Sequence, residues 1–163
     1  MKHFIVLCFF VITLLSCGDD SSQLDLNISL AYNDDPLVMT QGYEYPDGRL
    51  VKFNRVSFFI SDLTVSDGIE SQQLIDARQI NLTQSHTDLQ GAMEGLNILS
   101  ESINFSNINQ LNFNLGLTPE QNGLTPTDYP NSSDLSNSAE YWLGWSSYVF
   151  AKIEGLIDLD NDG

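Results

Sequence analysis

The chain has 163 residues, of which 42% are hydrophobic and 17% are charged, and this balance is typical of one globular domain and not of a disordered chain. Its 22 acidic residues against 6 basic ones give a net charge of −16 at pH 7. A surface of that sign repels phosphate backbones, which argues against nucleic acid as a partner, and it permits metal sites built from carboxylates.

Residues 1–16 have the features of a signal peptide. A short positive start at Lys2 precedes an almost wholly apolar run over residues 4–15, which is too short to span a bilayer comfortably but fits a signal h-region. The run ends in Leu-Leu-Ser directly before Cys17 and looks like a bacterial lipobox. We therefore predict cleavage before Cys17 and lipidation of that cysteine, with an ordinary secretory signal as the alternative.

The residues that follow Cys17 predict where the protein is located. Residues 17–23 are predicted to form an acidic polar tether, and the pair Asp19-Asp20 resembles the surface-export signal of Bacteroidota lipoproteins. The prediction is an outer-membrane protein anchored through its lipid, with its domain at the cell surface or else facing the periplasm. Since Cys8 leaves with the signal peptide and Cys17 is acylated, the mature chain would have no free thiol.

The pattern of residues 24–163 predicts a single all-β domain. Apolar and polar residues alternate over residues 24–32, as in a half-buried strand. A second β-prone run covers residues 51–65, and its change of parity between Phe53 and Val56 indicates a bulge or a short break. Many short strands separated by polar turns favour an antiparallel β-sandwich or barrel. The other predicted strands cover residues 73–76, 78–82, 108–117 and 148–153.

Two segments have no clear strand pattern. Residues 87–100 carry apolar residues at helical spacing, but Gly91 and Gly95 weaken a helix, so a loop with a turn of helix is predicted. Residues 118–139 are rich in Pro, Asn, Ser, Thr and Asp and are predicted to form a long loop. Because the chain stops soon after its last strand, we predict that the last sheet is left without an obvious partner strand at its edge and that the domain is incomplete.

Recognisable catalytic groups are scarce in this sequence. His86 is the only histidine of the predicted mature chain, since His3 lies in the signal peptide, and a lone loop histidine is more often a surface residue than a ligand. One imidazole without thiolates does not make a typical zinc site. Nucleophile elbows, phosphate loops and dinucleotide-binding glycine patterns are absent. The sequence therefore predicts a protein that is not an enzyme.

The acidic end of the chain is a candidate calcium site. Asp158, Asp160 and Asp162, followed by Gly163, match the first half of an Asp-x-Asp-x-Asp-Gly calcium loop. In such a loop alternate carboxylates converge on one ion, and the glycine permits the sharp turn. A bare acidic turn is the alternative interpretation.

An aromatic stretch contains both tryptophans of the chain. We expect Trp142, Trp145, Tyr148 and Phe150 to fill one end of the sandwich core, because Trp and Tyr combine an apolar body with a polar group that suits a half-buried rim. A stacking surface for a sugar or a partner is the alternative.

Several pieces of the chain, taken in order, resemble a known family. They are Val56-Ser-Phe-Phe-Ile-Ser-Asp-Leu63, Leu74-Ile-Asp76, Leu111-Asn-Phe-Asn-Leu-Gly-Leu117 with Asn122 after it, and Trp142-x-x-Trp145-x-x-Tyr148 followed by Lys152-x-Glu154-Gly155. The set is similar to the MbnP-like copper-binding protein family and runs over about residues 24–155. The resemblance implies a β-rich, exported, often lipid-anchored domain, in which tryptophan oxidation and histidine ligands are associated with copper.

The chain departs from the family pattern around its tryptophans. Their spacing is one residue longer, Ser147 stands in place of a glycine, and no histidine is near either tryptophan. Copper sites use imidazole or sulfur donors, and those of the predicted mature chain are His86, Met39 and Met93. We predict a lipid-anchored, non-catalytic binding protein with copper as the implied metal, or alternatively a calcium-stabilised surface adhesin or glycan-binding lipoprotein.

Overall fold

A computed structural model describes residues 22–105 and 107–160. The predicted signal peptide, Cys17 and Asp162 lie outside the described residues. No helix of the described ranges is long and apolar enough to cross a membrane. The strands are β1 Ser22–Ile28, β2 Ala31–Tyr32, β3 Asp35–Pro36, β4 Gly42–Glu44, β5 Leu50–Ser66, β6 Ser71–Asn81, β7 Leu96–Ile103, β8 Gln110–Leu115, β9 Tyr141–Trp142, β10 Ser147–Tyr148 and β11 Ala151–Ile157. The helices are α1 Leu89–Glu94, α2 Pro119–Asn122 and the 3-10 turns Pro126–Asp128, Asp134–Ser136 and Ser138–Glu140.

The long strand β5 organises the larger sheet. Its first half pairs with β4 on one side and β11 on the other, and its second half pairs with β6 and β8. The backbone of Phe59 donates to the Phe150 carbonyl at 2.9 Å and accepts from the Gly116 N–H at 2.8 Å. Strands β11 and β8 therefore lie end to end along the same side of β5. Every pairing is antiparallel, so the predicted all-β, sandwich-like fold is confirmed.

Three register shifts interrupt the ladders of β5, and one of them, against β6, lies between Leu63 and Thr64. Against β11, Glu154 pairs with Arg55 and Gly155 pairs with Phe53, so Asn54 is the extra residue of a bulge. This confirms the bulge predicted between Phe53 and Val56. The third shift, against β8, lies at Asp62, whose φ is 52°. Val56 of the first half belongs to one core cluster, and Ile60 and Leu63 of the second half belong to another. Phe58 packs against both clusters, so the two lie side by side.

The main core lies between the five-stranded sheet and a second sheet formed by β1 and β7. The alternation predicted for the first strand turns one face of β1 inward against this core. The buried residues of this core are Ile60, Leu63, Ile75, Ile80, Leu82, Ile98 and Leu99.

The segment between β8 and β11 covers the opposite face of β5. Phe59 packs there against Leu117, Leu135 and Tyr148, all of which are buried. The long loop predicted over residues 118–139 contains α2 and the three 3-10 turns. This covering segment positions the aromatic stretch.

Several predicted strands need correction. The strands predicted at residues 73–76 and 78–82 form one strand, β6, and the last strand begins at Ala151 instead of residue 148. Strand β7 was missed, because residues 87–100 show helical spacing and the pairing of β7 with β1 joins residues about 70 positions apart, such as Asn97 and Asn27. Strand β1 starts at Ser22, so the last two residues of the predicted tether are part of a strand.

Candidate functional site

The two tryptophans lie on a short hairpin, here called the aromatic hairpin, which consists of β9, β10 and the turn of residues 143–146. Their indole rings stack on one another with centroids 4.4 Å apart and planes inclined by 17°. A Cβ added to Gly144 would come within 2.9 Å of Trp142 Nε1, so a glycine at this turn position allows the indole to fold over the turn. Local sequence thus builds the stacked pair.

The aromatic hairpin points into solvent. Trp142 is 52% exposed, Trp145 is 70% exposed and Leu143 is 85% exposed. The expectation that the tryptophans fill the core is therefore wrong, because the hairpin buries Tyr148 at its base and exposes both indole rings. Tyr148, in contrast, is buried as expected.

Tyr148 anchors the base of the hairpin. Its hydroxyl donates to the Leu135 carbonyl at 2.5 Å, and its N–H donates to Asn122 Oδ1 at 2.9 Å. Its ring also makes edge-to-face contacts with the rings of Phe59, Tyr129 and Tyr141. Burial, with additional influence from nearby tyrosines, raises the pKa of Tyr148 to about 12. The phenol therefore stays a neutral donor at physiological pH.

A buried carboxylate lies just before the hairpin and binds two cations. Glu140 is only 4% exposed, and its oxygens lie 2.8 Å from Arg55 Nη2 and 2.6 Å from Lys152 Nζ. Burial by itself opposes the charge, but hydrogen bonds from Lys152, Gln79 and Arg55 outweigh it, so the pKa of Glu140 is lowered. Glu154 adds a second, more exposed carboxylate 3.9 Å from Arg55. This cluster fixes the hairpin to β5 and β11.

The Lys-x-Glu-Gly motif of residues 152–155 has a structural role in the fold. Lys152 and Glu154 belong to the charge cluster just described, and Gly155 lies opposite the bulge of β5. A Cβ at Gly155 would come within 2.4 Å of the Lys52 carbonyl oxygen, so only glycine allows the two strands to approach this closely.

Grooves run along both sides of the aromatic hairpin. One, of about 610 Å³, is lined by hydroxyl-bearing side chains, and the other, of about 460 Å³, lies beside β11. Tyr141 and Leu143 form part of both walls. The hydroxyl-bearing residues of the first groove, apart from Tyr141, are Thr125, Thr127, Ser138 and Ser146, and the second groove includes Trp142, Lys152 and Glu154. The hairpin therefore offers aromatic faces directly beside polar groups.

His86 is buried, and the expectation of a surface histidine is wrong. The residue is 0% exposed, and its Nε2 accepts the Leu30 N–H at 3.0 Å. The proton of the neutral ring is then on Nδ1, which lies 2.9 Å from Ser85 Oγ. Desolvation lowers the pKa of His86. Together with the bond from the Met39 N–H to the His86 carbonyl, at 2.7 Å, the residue joins separate segments of the core.

The acidic tail is only partly described. Asp158 continues from β11, and Asp160 donates its backbone N–H to Asp158 Oδ1 at 3.3 Å, whereas Asp162 lies outside the described residues. Within residues 22–105 and 107–160, no group of three or more His, Cys, Asp and Glu side chains comes together as a candidate metal centre. The structure therefore does not test the predicted three-carboxylate site.

Sequence reasoning missed the charge cluster. Glu140 and Arg55 are 85 positions apart in the chain, and nothing in the local pattern of either residue indicated a buried pair. The lysine of the Lys-x-Glu-Gly motif could have indicated the cluster. A lysine within a strand of an otherwise acidic chain predicts a carboxylate partner close to that strand.

Comparison with known proteins gives a match to one protein family. The matching family model is described as MbnP, and the match covers residues 21–163. No curated protein and no solved structure matches the chain.

Proposed function

Because the chain belongs to the MbnP family, we propose that it is an exported, lipid-anchored, non-catalytic binding protein and that the aromatic hairpin is its ligand-contacting surface. The observation that carries this proposal is the stacked, exposed pair of Trp142 and Trp145. Large aromatic groups that stay exposed together are typical of surfaces that bind a ligand or partner.

The hairpin is preorganised for binding. Tyr148 fixes its base through two hydrogen bonds, and the buried Glu140 holds the preceding residues against two strands. A surface that is already rigid loses less conformational entropy when a ligand binds. The tryptophans can therefore bind through stacking without first being ordered.

A glycan is the ligand class that this geometry favours. The stacked pair leaves the outer indole faces available to the apolar face of a sugar ring, and Lys152 and Glu154, which line the same groove as Trp142, supply polar groups for sugar hydroxyls. The hydroxyl-bearing groove meets the hairpin at Tyr141, Leu143 and Ser146. A cell-surface location gives access to such ligands.

Glycan binding is tested with Trp142→Ala and Trp145→Ala. Truncating a central tryptophan of a binding surface typically costs about 2 kcal/mol or more, which corresponds to roughly a 30-fold weaker Kd. Binding to an array of bacterial and host glycans, followed by calorimetry on any hit, measures this. Ile69→Ala is the matched control, because Ile69 is 93% exposed but lies in the turn between β5 and β6. Equal binding by all three variants would remove the hairpin from the proposal.

Copper is a second proposal, which rests on the resemblance to copper-binding members of the family. Imidazole and thioether groups are the expected copper donors. The thioether of Met93 belongs to a side chain that is 67% exposed, whereas the imidazole of His86 is buried and both of its ring nitrogens are hydrogen-bonded. Copper titration of the chain is compared with His86→Ala and with a variant that lacks residues 142–145. If both variants take up copper with unchanged affinity, the site does not lie in these residues.

Calcium is a third proposal, with Asp158, Asp160 and Asp162 as its ligands. An ion that binds only the native state raises the unfolding free energy by about 2.7 kcal/mol at 100 times its Kd. We expect calcium to raise the Tm of the chain and Asp160→Ala to abolish this increase. An unchanged Tm at saturating calcium would argue against the site.

Location is proposed from the predicted lipobox and tether. Mass spectrometry of the membrane-extracted chain is expected to show an acylated Cys17 as the first residue, and Cys17→Ser should release the protein from the membrane. Protease treatment of intact cells distinguishes the two orientations, since only a surface-exposed domain is digested.

A further inference from the structure

The groove beside β11 combines a stacking surface with two charged groups. Trp142 lines this groove together with Lys152 and Glu154, whereas Trp145 does not. Because Trp145 covers one face of the Trp142 indole, a ligand in the groove meets that ring from another side. Lys152 and Glu154 are two positions apart on β11, so their side chains project from the same face of the strand. A sugar ring that packs on the indole would therefore lie next to charged groups.

The positive charge of Lys152 is already balanced within the fold. Its ammonium group lies 2.6 Å from the carboxylate of Glu140 and donates to the Ala139 carbonyl at 2.9 Å. Glu140 is buried and its pKa is lowered, so this carboxylate stays ionised at neutral pH. Arg55, the other cation of the cluster, binds the same carboxylate. An anionic ligand would have to compete with Glu140 for either cation.

The negative charge of Glu154, in contrast, is available to a ligand. Its ion pair with Arg55 spans 3.9 Å, which is longer than a hydrogen bond. Its side chain is 58% accessible, more than that of any other member of the charge cluster. An ionised carboxylate has about four sites that accept hydrogen bonds. Glu154 can therefore accept from a ligand while the contacts of Glu140 that hold the aromatic hairpin stay intact.

We propose that the glycan bound beside Trp142 carries a protonated amino group and that Glu154 selects it, an inference that rests on the glycan binding proposed above. An ammonium group on a sugar ring can donate to the carboxylate, and a hydrogen bond with an ionised partner is roughly twice as strong as a neutral one. The face of an indole ring also attracts a cation. Trp142 and Glu154 therefore favour the same chemical group, which a neutral sugar lacks.

The charge of the whole chain acts in the same direction. A net charge of −16 at pH 7 attracts cations to the protein surface and repels sugars that carry carboxylates. Both this long-range attraction and a half-exposed ion pair are screened by salt. The preference for an amino sugar should therefore weaken as the salt concentration rises.

Matched oligosaccharides separate the effect of the amino group from that of the sugar ring. The probes are oligomers of equal length of glucosamine, N-acetylglucosamine and galacturonic acid, in a slightly acidic buffer in which the sugar amine is protonated. We expect calorimetry to give a Kd for the glucosamine oligomer that is about fivefold lower than for the acetylated oligomer, as a half-exposed ion pair provides. The galacturonic acid oligomer should bind most weakly, and about 0.5 M salt should reduce the difference between the first two.

Three substitutions separate charge from stacking. Glu154→Gln keeps the shape of the side chain and removes its charge, so the glucosamine and N-acetylglucosamine oligomers should then bind equally. Glu101→Gln is the matched control, because it removes the same charge from an exposed position in β7 and should keep the fivefold preference. Trp142→Ala should weaken the binding of both oligomers. Unchanged circular dichroism of Glu154→Gln shows that it is folded.

The outcomes distinguish this inference from the proposed function. If the parent chain binds glycans through Trp142 but does not prefer the amine, or if Glu154→Gln keeps the preference, the role of Glu154 is overturned and the glycan surface stands. If a lysine oligomer of equal length binds as tightly as the glucosamine oligomer, the surface recognises charge alone and the selection of an amino sugar is overturned. If the parent chain binds no glycan at all, both proposals fail.

Discussion

Replacing the buried carboxylate by an amide, Glu140→Gln, should strongly destabilise the fold. The substitution keeps the shape of the side chain but leaves Arg55 and Lys152 without the charge that both of them contact. Removing one partner of a buried ion pair typically costs about 3–5 kcal/mol. The side chains of Arg55 and Lys152 remain 28% and 20% exposed, so water can partly replace the carboxylate and we expect the low end, about 3 kcal/mol.

Urea unfolding at neutral pH measures this loss. The midpoint should fall while the slope of unfolding free energy against urea stays unchanged, since the surface exposed on unfolding is the same. Glu154→Gln is the matched control, because this carboxylate is 58% exposed and lies 3.9 Å from Arg55. Pairs of that kind contribute about 0–1 kcal/mol. Equal losses in the two variants would refute the view that burial gives the Glu140 cluster its importance.

The pH dependence supplies an independent check on the same residue. The folded-state pKa of Glu140 lies below its ordinary value of 4.5, so the unfolded state binds the proton more readily. The stabilisation is complete above pH 4.5 and is lost as the pH falls through the folded-state pKa. The stability difference between the parent chain and Glu140→Gln should therefore shrink in acid, and a difference that stays constant down to the lowest pH at which both fold would contradict this.

Three further predictions concern the residues around the site and the core. Tyr148→Phe leaves the Leu135 carbonyl without its donor and should lower the unfolding free energy by about 1–3 kcal/mol in urea titrations. Because the pKa of Tyr148 is raised, the parent chain should lose this stabilisation as the pH rises above about 10 towards the folded-state pKa of about 12. The pKa of His86 is lowered, so the stabilisation from its neutral ring is complete above about pH 6.5 and is lost as the pH falls towards the folded-state pKa. The variant His86→Gln should therefore lose less stability than the parent chain when the pH falls below 6.5. Parallel curves of unfolding free energy against pH would count against a buried neutral imidazole. Gly155→Ala forces a methyl group against the Lys52 carbonyl and should cost about 1–3 kcal/mol in thermal unfolding, whereas a neutral effect would show that the strands can separate freely at the bulge.

The sequence predicts part of the structure of the aromatic hairpin but not the burial of its tryptophans. Its local features, the turn around Gly144 and the alternation that follows it, could be anticipated from neighbouring residues. Whether Trp142 and Trp145 lie inside or outside could not, because the same apolar pattern suits a core end and an exposed tip. The way the hairpin is anchored on β5 decides between them, and it depends on contacts such as that of Tyr148 with Leu135, which the sequence does not reveal.

By itself the sequence determined the strand-rich class, the bulge near Asn54 and the family resemblance, because alternation, turn residues and motif order are local properties of the chain. Only the tertiary structure decided that His86 is buried, that β7 exists and that Glu140 joins Arg55 to Lys152. The physical reason is the same in each case. Burial and pairing are properties of distant segments that pack together, and the free energy of a buried group depends on neighbours that lie tens of residues away.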